Sequence, residues 1–222
     1  MRMRRKKNLD IRLAQCGEYL IKCTENELNY EFHGDGTQLL DFVELFGNSN
    51  EIMLEIGCGK GGFACEYARL HPDINIIAVE KAPNVIVTAC EAAATLGLKN
   101  IKFMSCEAEY LPRYIPKGSV SEINLNFSCP YPKAKYTKHR LTHERFLKIY
   151  EGLMRDDAVI IQKTDNMHFF EFSLESFSLY GFKLSNISLD LHNSGFEGNI
   201  VTEYERLFSE KGMPIYRLEA RK

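Results

Sequence analysis

The chain has 222 residues, with 45% hydrophobic and 26% charged side chains and a formal net charge of -2. This composition is typical of a globular protein with a substantial core, and it excludes a protein that captures nucleic acid through overall positive charge. Any nucleic-acid site must therefore be a local basic patch, and MRMRRKK at the N-terminus and KAKYTKHR at 133–140 are the two candidates.

No stretch approaches the ~20 apolar residues of a membrane span, and no apolar run follows the N-terminal positive charges. We therefore expect a cytoplasmic protein without a membrane partner. The seven cysteines are an odd number and contain no C-x-x-C pair, which argues against a disulfide framework and against structural zinc. His139, His143 and His192 lack ligand spacing, so no metal is expected.

From residue 51 onward, short apolar runs alternate with helical patterns, which is typical of a parallel sheet with crossover helices. The helix predicted at 82–98 has Pro83 in its first turn and Gly97 at its end. Two later helices are predicted at 143–154 and 169–181. The predicted strands lie at 51–56, 75–80, 101–106, 121–127, 158–164, 183–191 and 214–220.

The last two predicted strands are separated by a polar Gly/Asn loop that leads into a short helix. This arrangement favours an antiparallel edge strand near the C-terminus. The expected fold is a doubly wound, mostly parallel α/β sheet of seven strands. We expect residues 51–222 to form this domain, with residues 1–50 as a partly basic N-terminal extension that packs on it or precedes it.

The segment LEIGCGKGGF follows the first predicted sheet strand and opens a helix. Gly57, Gly59 and Gly62 match G-x-G-x-x-G, in which glycines permit positive φ and let a ligand approach the backbone. Glu80 ends the next strand at the spacing of a ribose-binding acid. The pattern fits both NAD and S-adenosylmethionine, and without this context it also fits an ordinary tight turn.

Glu55 separates the two cofactors. A carboxylate just before the first glycine would lie near the anionic pyrophosphate of a dinucleotide, whereas S-adenosylmethionine brings an ammonium and a sulfonium to that region. Charge complementarity therefore favours the methyl donor. Glu107, beyond the third strand, is placed to meet the adenine edge in such a fold, although a solvated loop glutamate explains it equally well.

The segment NLNFSCPYPKAKYTKHR ends the fourth strand at the same edge of the sheet. Asn126, Ser128 and Cys129 should therefore face the reactive end of the cofactor. The basic side chains that follow can neutralise phosphates, and Tyr131 and Tyr136 offer faces for base stacking. The alternative is a solvated charged face. The basic residues are Lys133, Lys135, Lys138, His139 and Arg140.

Taken together, the blocks EIGCGKGGF, NFSCPYPK, RLT, KTDN, LDLHNS, FEGNIVTEYE and GMPIYRLEA make the chain, from about residue 50 to its end, resemble the bacterial tRNA (guanine-N7)-methyltransferase family. The last three blocks do not recur in methyltransferases generally. The resemblance implies a Rossmann-like class I methyltransferase fold and methylation of guanine N7 in the tRNA variable loop, with S-adenosyl-L-methionine as cofactor and tRNA as partner.

The resemblance also implies roles for individual residues, and it makes Cys129 a catalytic candidate. Asp165, at the end of the next strand, is a second catalytic candidate, because a carboxylate there can stabilise the positive charge that the guanine acquires. The expected cofactor-binding residues, including the glycines of the loop, are Glu55, Gly57, Gly59, Glu80, Glu107 and Cys129. The expected substrate-binding residues are Lys133, Asp165, Thr202, Glu203, Tyr204 and Glu205. Read from the residues alone, Asp165 also fits a strand-end turn, and TEYE fits a helix start with Thr202 as cap and Glu205 as its capping-box partner.

Two residues depart from the family pattern N-F-S-D-P-W-P. Tyr131 replaces the tryptophan and preserves an aromatic ring. Cys129 replaces the aspartate, which is the family's presumed catalytic acid and a cofactor contact. A non-catalytic relative that binds tRNA or the cofactor therefore stays open as an alternative. A nicotinamide-dependent oxidoreductase is disfavoured by Glu55 and by the C-terminal blocks. A monomer and a homodimer are both compatible with the sequence.

Overall fold

A computed structural model of the chain describes residues 4–21, 23 and 39–222. Part of the basic N-terminal segment, residues 1–3, lies outside this range. The chain divides into two compact units, Met1–Pro116 and Lys117–Lys222, and each is described separately. In the described part of the chain, no helix is both long enough and apolar enough to cross a membrane.

The first unit contains four parallel strands in the order β1-β4-β3-β2. Its strands are β1 (Leu20–Ile21), β2 (Glu51–Ile56), β3 (Ile74–Val79) and β4 (Ile101–Met104). Its helices are α1 (Leu9–Gln15), α2 (Phe42–Phe46), α3 (Gly62–Leu70) and α4 (Pro83–Leu96). The β2 and β3 strands are almost wholly buried, as their continuous apolar sequences predict for a parallel sheet covered on both faces.

The boundaries of α4 match the sequence prediction. Pro83 occupies its first turn, and Gly97 ends it with a φ of 64°. The α1 helix is tied to α4 by Arg12, whose guanidinium donates to both carboxylate oxygens of Glu91 at 2.6 and 2.7 Å. This pair is partly exposed, so it fixes the orientation of α1 more than it adds stability.

The second unit contains four strands in the order β5-β6-β8-β7. The strands are β5 (Val120–Asn126), β6 (Met154–Thr164), β7 (Lys183–Ser188) and β8 (Tyr216–Arg221), and the helices are α5 (Glu144–Leu153), α6 (Met167–Tyr180) and α7 (Glu203–Ser209). The β5 and β6 strands are parallel, whereas β8 runs antiparallel to both β6 and β7.

The expected mostly parallel α/β fold with an antiparallel strand near the C-terminus is confirmed. The described residues form eight strands instead of seven, because the two-residue β1 also pairs with β4, with Ile21 opposite Met104. The antiparallel strand β8 lies one place in from the edge, between β6 and β7. The proposed division into an extension before residue 51 and a domain after it stays a prediction.

Candidate functional site

The glycine loop of the first unit joins the end of β2 to the start of α3. The N–H groups of Gly57 and Cys58 both donate to the Val79 carbonyl, at 2.8 and 2.9 Å, which fixes the loop to the end of β3. Gly57 and Gly59 have φ values of 86° and 57°, a region that side chains other than glycine rarely adopt. A Cβ atom at either position would meet no atom within 4 Å, so a ligand has room to approach the backbone.

The third glycine required by this loop is Gly61 and not Gly62. Gly61 has a φ of 80° and caps α3, and a Cβ atom on it would lie 2.7 Å from the Cβ of Ala89 on α4. Gly62 has an ordinary backbone conformation and open space around it. Sequence reasoning chose Gly62 because it completes the motif, whereas the adjacent glycine makes the close approach of the two helices possible.

Glu80 follows β3 and is held beside the glycine loop by two backbone donors. The Gly59 N–H donates to its Oε2 at 3.3 Å and the Ala82 N–H to its Oε1 at 2.9 Å. The carboxylate is half-buried and has about four lone-pair sites. It therefore retains acceptor capacity for a ligand, as a ribose-binding acid requires.

Glu55 lies within β2 and is only 2% exposed. The charge of Glu55 affects the thiol of Cys58 in the glycine loop. Burial raises the pKa of Cys58 well above its usual value, and the negative charges of Glu55 and then Glu80 raise that pKa further. The negative charges of two carboxylates, Glu55 and Glu80, are thus both felt at the glycine loop. An anionic loop with an open backbone fits a cationic ligand.

Glu107 follows β4, is exposed and precedes a 3-10 helix at Ala108–Arg113. Because β2, β3 and β4 are neighbouring parallel strands, Glu55, Glu80 and Glu107 mark the carboxyl ends of three adjacent strands. Ligands of open α/β sheets bind at this edge. The structure therefore brings the three predicted cofactor acids to one edge of the first unit.

In the second unit, the loop after β5 carries the candidate Cys129, which is exposed. The loop begins at Phe127, which has a φ of 52° and donates its N–H to the Lys163 carbonyl at 2.8 Å. Tyr131 has a φ of 41°. Two non-glycine residues with positive φ indicate a backbone held under strain, a feature that clusters at functional sites.

Arg140, a residue of the basic tract, holds the loop after β5 through its side chain. Its guanidinium donates to the carbonyls of Pro130 and Tyr131 at 2.9 and 3.2 Å and lies 4.5 Å from the ring centroid of Phe172. These contacts give Arg140 a role in shaping the loop, and its expected contact with phosphate stays a prediction. The basic side chains that remain exposed are Lys133, Lys135 and Lys138.

Asp165 follows β6 and is half-buried. Its carboxylate makes no hydrogen bond or ion pair with any residue that the structure describes. Asp165 and Cys129 both lie near Tyr204: burial raises the pKa of the Tyr204 phenol, and the charges of Asp165 and then Cys129 raise it further. The structure thus gathers three predicted site residues from three different segments of the second unit.

Tyr204 is 45% exposed and belongs to a row of aromatic rings. Its ring centroid lies 5.0 Å from that of Phe127 and 4.7 Å from that of Phe208. These contacts leave part of the ring open to solvent. An exposed ring supported from behind by other rings is a suitable surface for stacking a base.

The four residues of the TEYE block have different environments. Thr202 caps α7 by accepting from the Glu205 N–H at 3.1 Å, so the predicted cap is confirmed. Glu203 is exposed. Glu205 is 0% exposed, and its carboxylate bonds to Lys163, Asn199 and His192 instead of completing a capping box. Glu205 therefore presents almost no surface to a ligand in this structure, and its expected contact with tRNA stays a prediction.

Sequence reasoning missed Lys163, which is 3% exposed on β6 beside Glu205. One signal was available, because a lysine in AVIIQKT, a strand predicted to lie inside the sheet, requires a buried partner. Its partner lies 42 residues later, which no local pattern reveals. Within the described residues, no group of three or more His, Cys, Asp or Glu side chains is arranged to hold a metal ion.

Comparison with known proteins adds an independent observation. A family profile described as "Putative methyltransferase" matches residues 49–218. The tRNA (guanine-N(7)-)-methyltransferase of Geobacillus kaustophilus (strain HTA426) is 48% identical over 177 residues, covering 80% of this chain and 82% of that protein. The protein of the same name from Listeria monocytogenes serotype 4a (strain HCC23) is 49% identical over 178 residues, covering 80% and 83%. The chain belongs to the tRNA (guanine-N(7)-)-methyltransferase family.

Solved structures support the fold expected of this family. The crystal structure of the 16S rRNA methyltransferase KamB matches with a TM-score of 0.61 at 17% identity, covering 81% of this chain and 91% of that one. An S-adenosylmethionine-dependent methyltransferase from Aquifex aeolicus matches with a TM-score of 0.54 at 14% identity, covering 81% and 86%. At these identities the likeness concerns the fold alone.

Proposed function

We propose that this chain transfers a methyl group from S-adenosylmethionine to N7 of a guanine in tRNA. The observation that carries the proposal is the edge formed by Glu55, Glu80 and Glu107 around an open glycine loop, in a chain that belongs to a tRNA methyltransferase family. Labelled methyl incorporation into unmodified tRNA tests it.

The residues of the first unit fit the methyl donor. When bound, S-adenosylmethionine supplies an electrophilic methyl carbon on a positively charged sulfur. Glu80 would accept hydrogen bonds from the ribose hydroxyls, Glu55 would offset the positive charge of the donor, and Glu107 would meet the adenine edge. The open backbone at Gly57 and Gly59 would accommodate the close approach. An NAD pyrophosphate would instead meet two carboxylates, which disfavours the oxidoreductase alternative.

The chemistry on the guanine side requires little from the protein beyond position. Guanine N7 carries an in-plane lone pair and needs no deprotonation before it attacks a methyl group, so a general base is not required. Orientation supplies much of the rate enhancement. The Asp165 carboxylate would stabilise the positive charge that the ring acquires. Cys129, in the family's aspartate position, would line the same site, and a thiolate there would substitute for the absent carboxylate.

Binding of tRNA would rely on the exposed lysines of the tract after Pro132. Lys133, Lys135 and Lys138 would neutralise phosphates, and Lys135 lies with its Nζ 5.0 Å from the ring centroid of Tyr136. Clustered cations on a chain of nearly balanced charge provide a directed electrostatic contact. The position of the methylated guanine in the variable loop is part of the proposal and follows from the family resemblance.

A non-catalytic relative is the second candidate function, and the exposed Cys129 is the observation that motivates it. The names of the 48–49% identical proteins favour an active enzyme. Multiple turnovers of labelled methyl donor would exclude the non-catalytic alternative. A cytoplasmic location and a monomeric or homodimeric state stay part of the proposal.

A further inference from the structure

The second unit contains a buried ion pair between Lys163 and Glu205. The Lys163 Nζ lies 2.8 Å from Glu205 Oε2, and the two side chains are 3% and 0% exposed. Lys163 also donates to Asn199 Oδ1 at 3.0 Å and to the Ile200 carbonyl at 2.9 Å. The Lys163 ammonium therefore donates to Glu205 on α7 and to two residues of the segment that leads into α7.

The carboxylate of Glu205 has three close partners. Besides Lys163, it accepts from Asn199 Nδ2 at 2.7 Å, and His192 Nε2 lies 3.0 Å from its Oε1. Because Asn199 points its oxygen at Lys163, it must point its amide nitrogen at Glu205. Lys163 and Asn199 donate to different oxygens of this group, which a carboxylate accepts at both positions and a glutamine amide at only one.

Lys163 also contacts Phe127, which lies at one end of the row of aromatic rings formed with Tyr204 and Phe208. Its main-chain carbonyl accepts from the Phe127 N–H, and its Nζ lies 5.8 Å from the centroid of the Phe127 ring. Phe127 and Tyr204 are in turn in ring contact. A single residue of β6 thus fixes both the strained loop after β5 and the helix that carries Tyr204.

We propose that the Lys163–Glu205 pair positions the substrate site by holding α7 so that Tyr204 stands beside Asp165 and Cys129 as the stacking face for the target guanine. Glu205 then acts through Tyr204 and does not contact tRNA itself. The inference rests on the proposed function and deepens it, since it assigns different roles to adjacent residues of one block. A buried ion pair is by itself weak evidence of a stabilising role, which is consistent with a role in geometry.

The first test is a kinetic double-mutant cycle of Glu205→Gln and Tyr204→Ala. We expect each single variant to lower kcat/KM for tRNA about tenfold or more, with S-adenosylmethionine affinity unchanged. The double variant should lose little beyond either single variant, because Glu205 acts through Tyr204. Multiplied losses would mean that Glu205 acts independently of Tyr204, and full activity of folded Glu205→Gln would mean a structural role only. Both results would overturn the proposal.

The second test needs no catalysis and separates this inference from the proposed function. The chain has no tryptophan, so Tyr204→Trp places a single fluorescent reporter on the ring position. We expect added Glu205→Gln to shift its emission to longer wavelength and to lower its anisotropy. Glu210→Gln, which removes an exposed charge at the end of the same helix, should change neither. An unchanged reporter in Glu205→Gln would refute the positioning role even if the enzyme is active.

A variant that removes both charges distinguishes a loss of positioning from unfolding of the protein. Lys163→Met with Glu205→Leu leaves no unpaired buried charge, and such apolar replacements usually retain the fold. We expect this variant to melt cooperatively and still to show the red-shifted reporter and the lowered kcat/KM, because the directional bonds to Asn199 and Ile200 are removed. Recovery of both the reporter signal and the kinetics would show that packing alone positions Tyr204.

Discussion

A Cβ atom at Gly61 would lie 2.7 Å from the Cβ atom of Ala89, which is closer than real side chains approach. The same glycine has a φ of 80°. Two independent constraints, the backbone conformation and the contact between α3 and α4, therefore meet at one residue of the cofactor loop.

Gly61→Ala should lower the free energy of unfolding by about 3 kcal/mol, since it adds both left-handed backbone strain and overpacking. Gly47→Ala is the matched control, because Gly47 has a φ of 72° but no atom within 4 Å of an added Cβ. It should cost about 1 kcal/mol from backbone strain alone. Urea unfolding measures both, and equal losses would contradict the close helix contact.

Glu80→Ala should weaken the binding of S-adenosylmethionine, or of its demethylated product, by about tenfold or more, because hydrogen bonds to a charged acceptor are removed. Asp73→Ala, which removes an exposed carboxylate of the same unit, should have no effect. Calorimetry decides this point. Comparable affinity of the wild-type chain for NAD would refute the assignment of the cofactor.

Replacing Lys133, Lys135 and Lys138 by alanine should weaken tRNA binding and reduce its salt dependence by about 0.7–0.9 log units for each phosphate that the protein no longer neutralises. Alanine at Lys117, Lys148 and Lys183, three other exposed lysines of the second unit, is the matched control for total charge. Binding titrations at several salt concentrations provide the slopes. If both triple variants show the same slope, the tract is a solvated surface.

Cys129→Asp restores the acid of the family pattern and should keep the methylation rate at or above that of the wild-type chain. Cys129→Ser should be markedly slower, because a hydroxyl cannot supply the negative charge that stabilises the methylated ring. Initial rates of methyl transfer to tRNA compare the three proteins. Serine performing as well as cysteine would leave Asp165 and substrate orientation to carry the chemistry.

The sequence predicted the elements that depend on local pattern. Short runs rich in apolar residues located β2 to β8. Pro83 and Gly97 marked the ends of α4, because proline fixes φ for a first helical turn and glycine tolerates the positive φ that ends a helix. The two-residue β1 was missed, since Leu20 and Ile21 are too few to form a pattern. The placement of β8 between β6 and β7 was not predictable either, because strand order depends on contacts distant in sequence.

The candidate site shows the same division. Glu55, Glu80 and Glu107 could be placed at one edge because parallel strands align their carboxyl ends. The environment of Glu205 could not be predicted, because its partner Lys163 is 42 residues away in sequence. Tertiary contacts thus bury Glu205 and leave Tyr204 exposed, although the two residues are adjacent in sequence.

The most direct test of the account is methylation of an unmodified tRNA transcript by the purified chain with labelled S-adenosylmethionine, followed by mapping of the modified base. The account predicts multiple turnovers and a label on N7 of one guanine in the variable loop, which disappears when that guanine is replaced by adenine. A chain that binds both ligands without transferring the label, or that labels another atom or base, would contradict it.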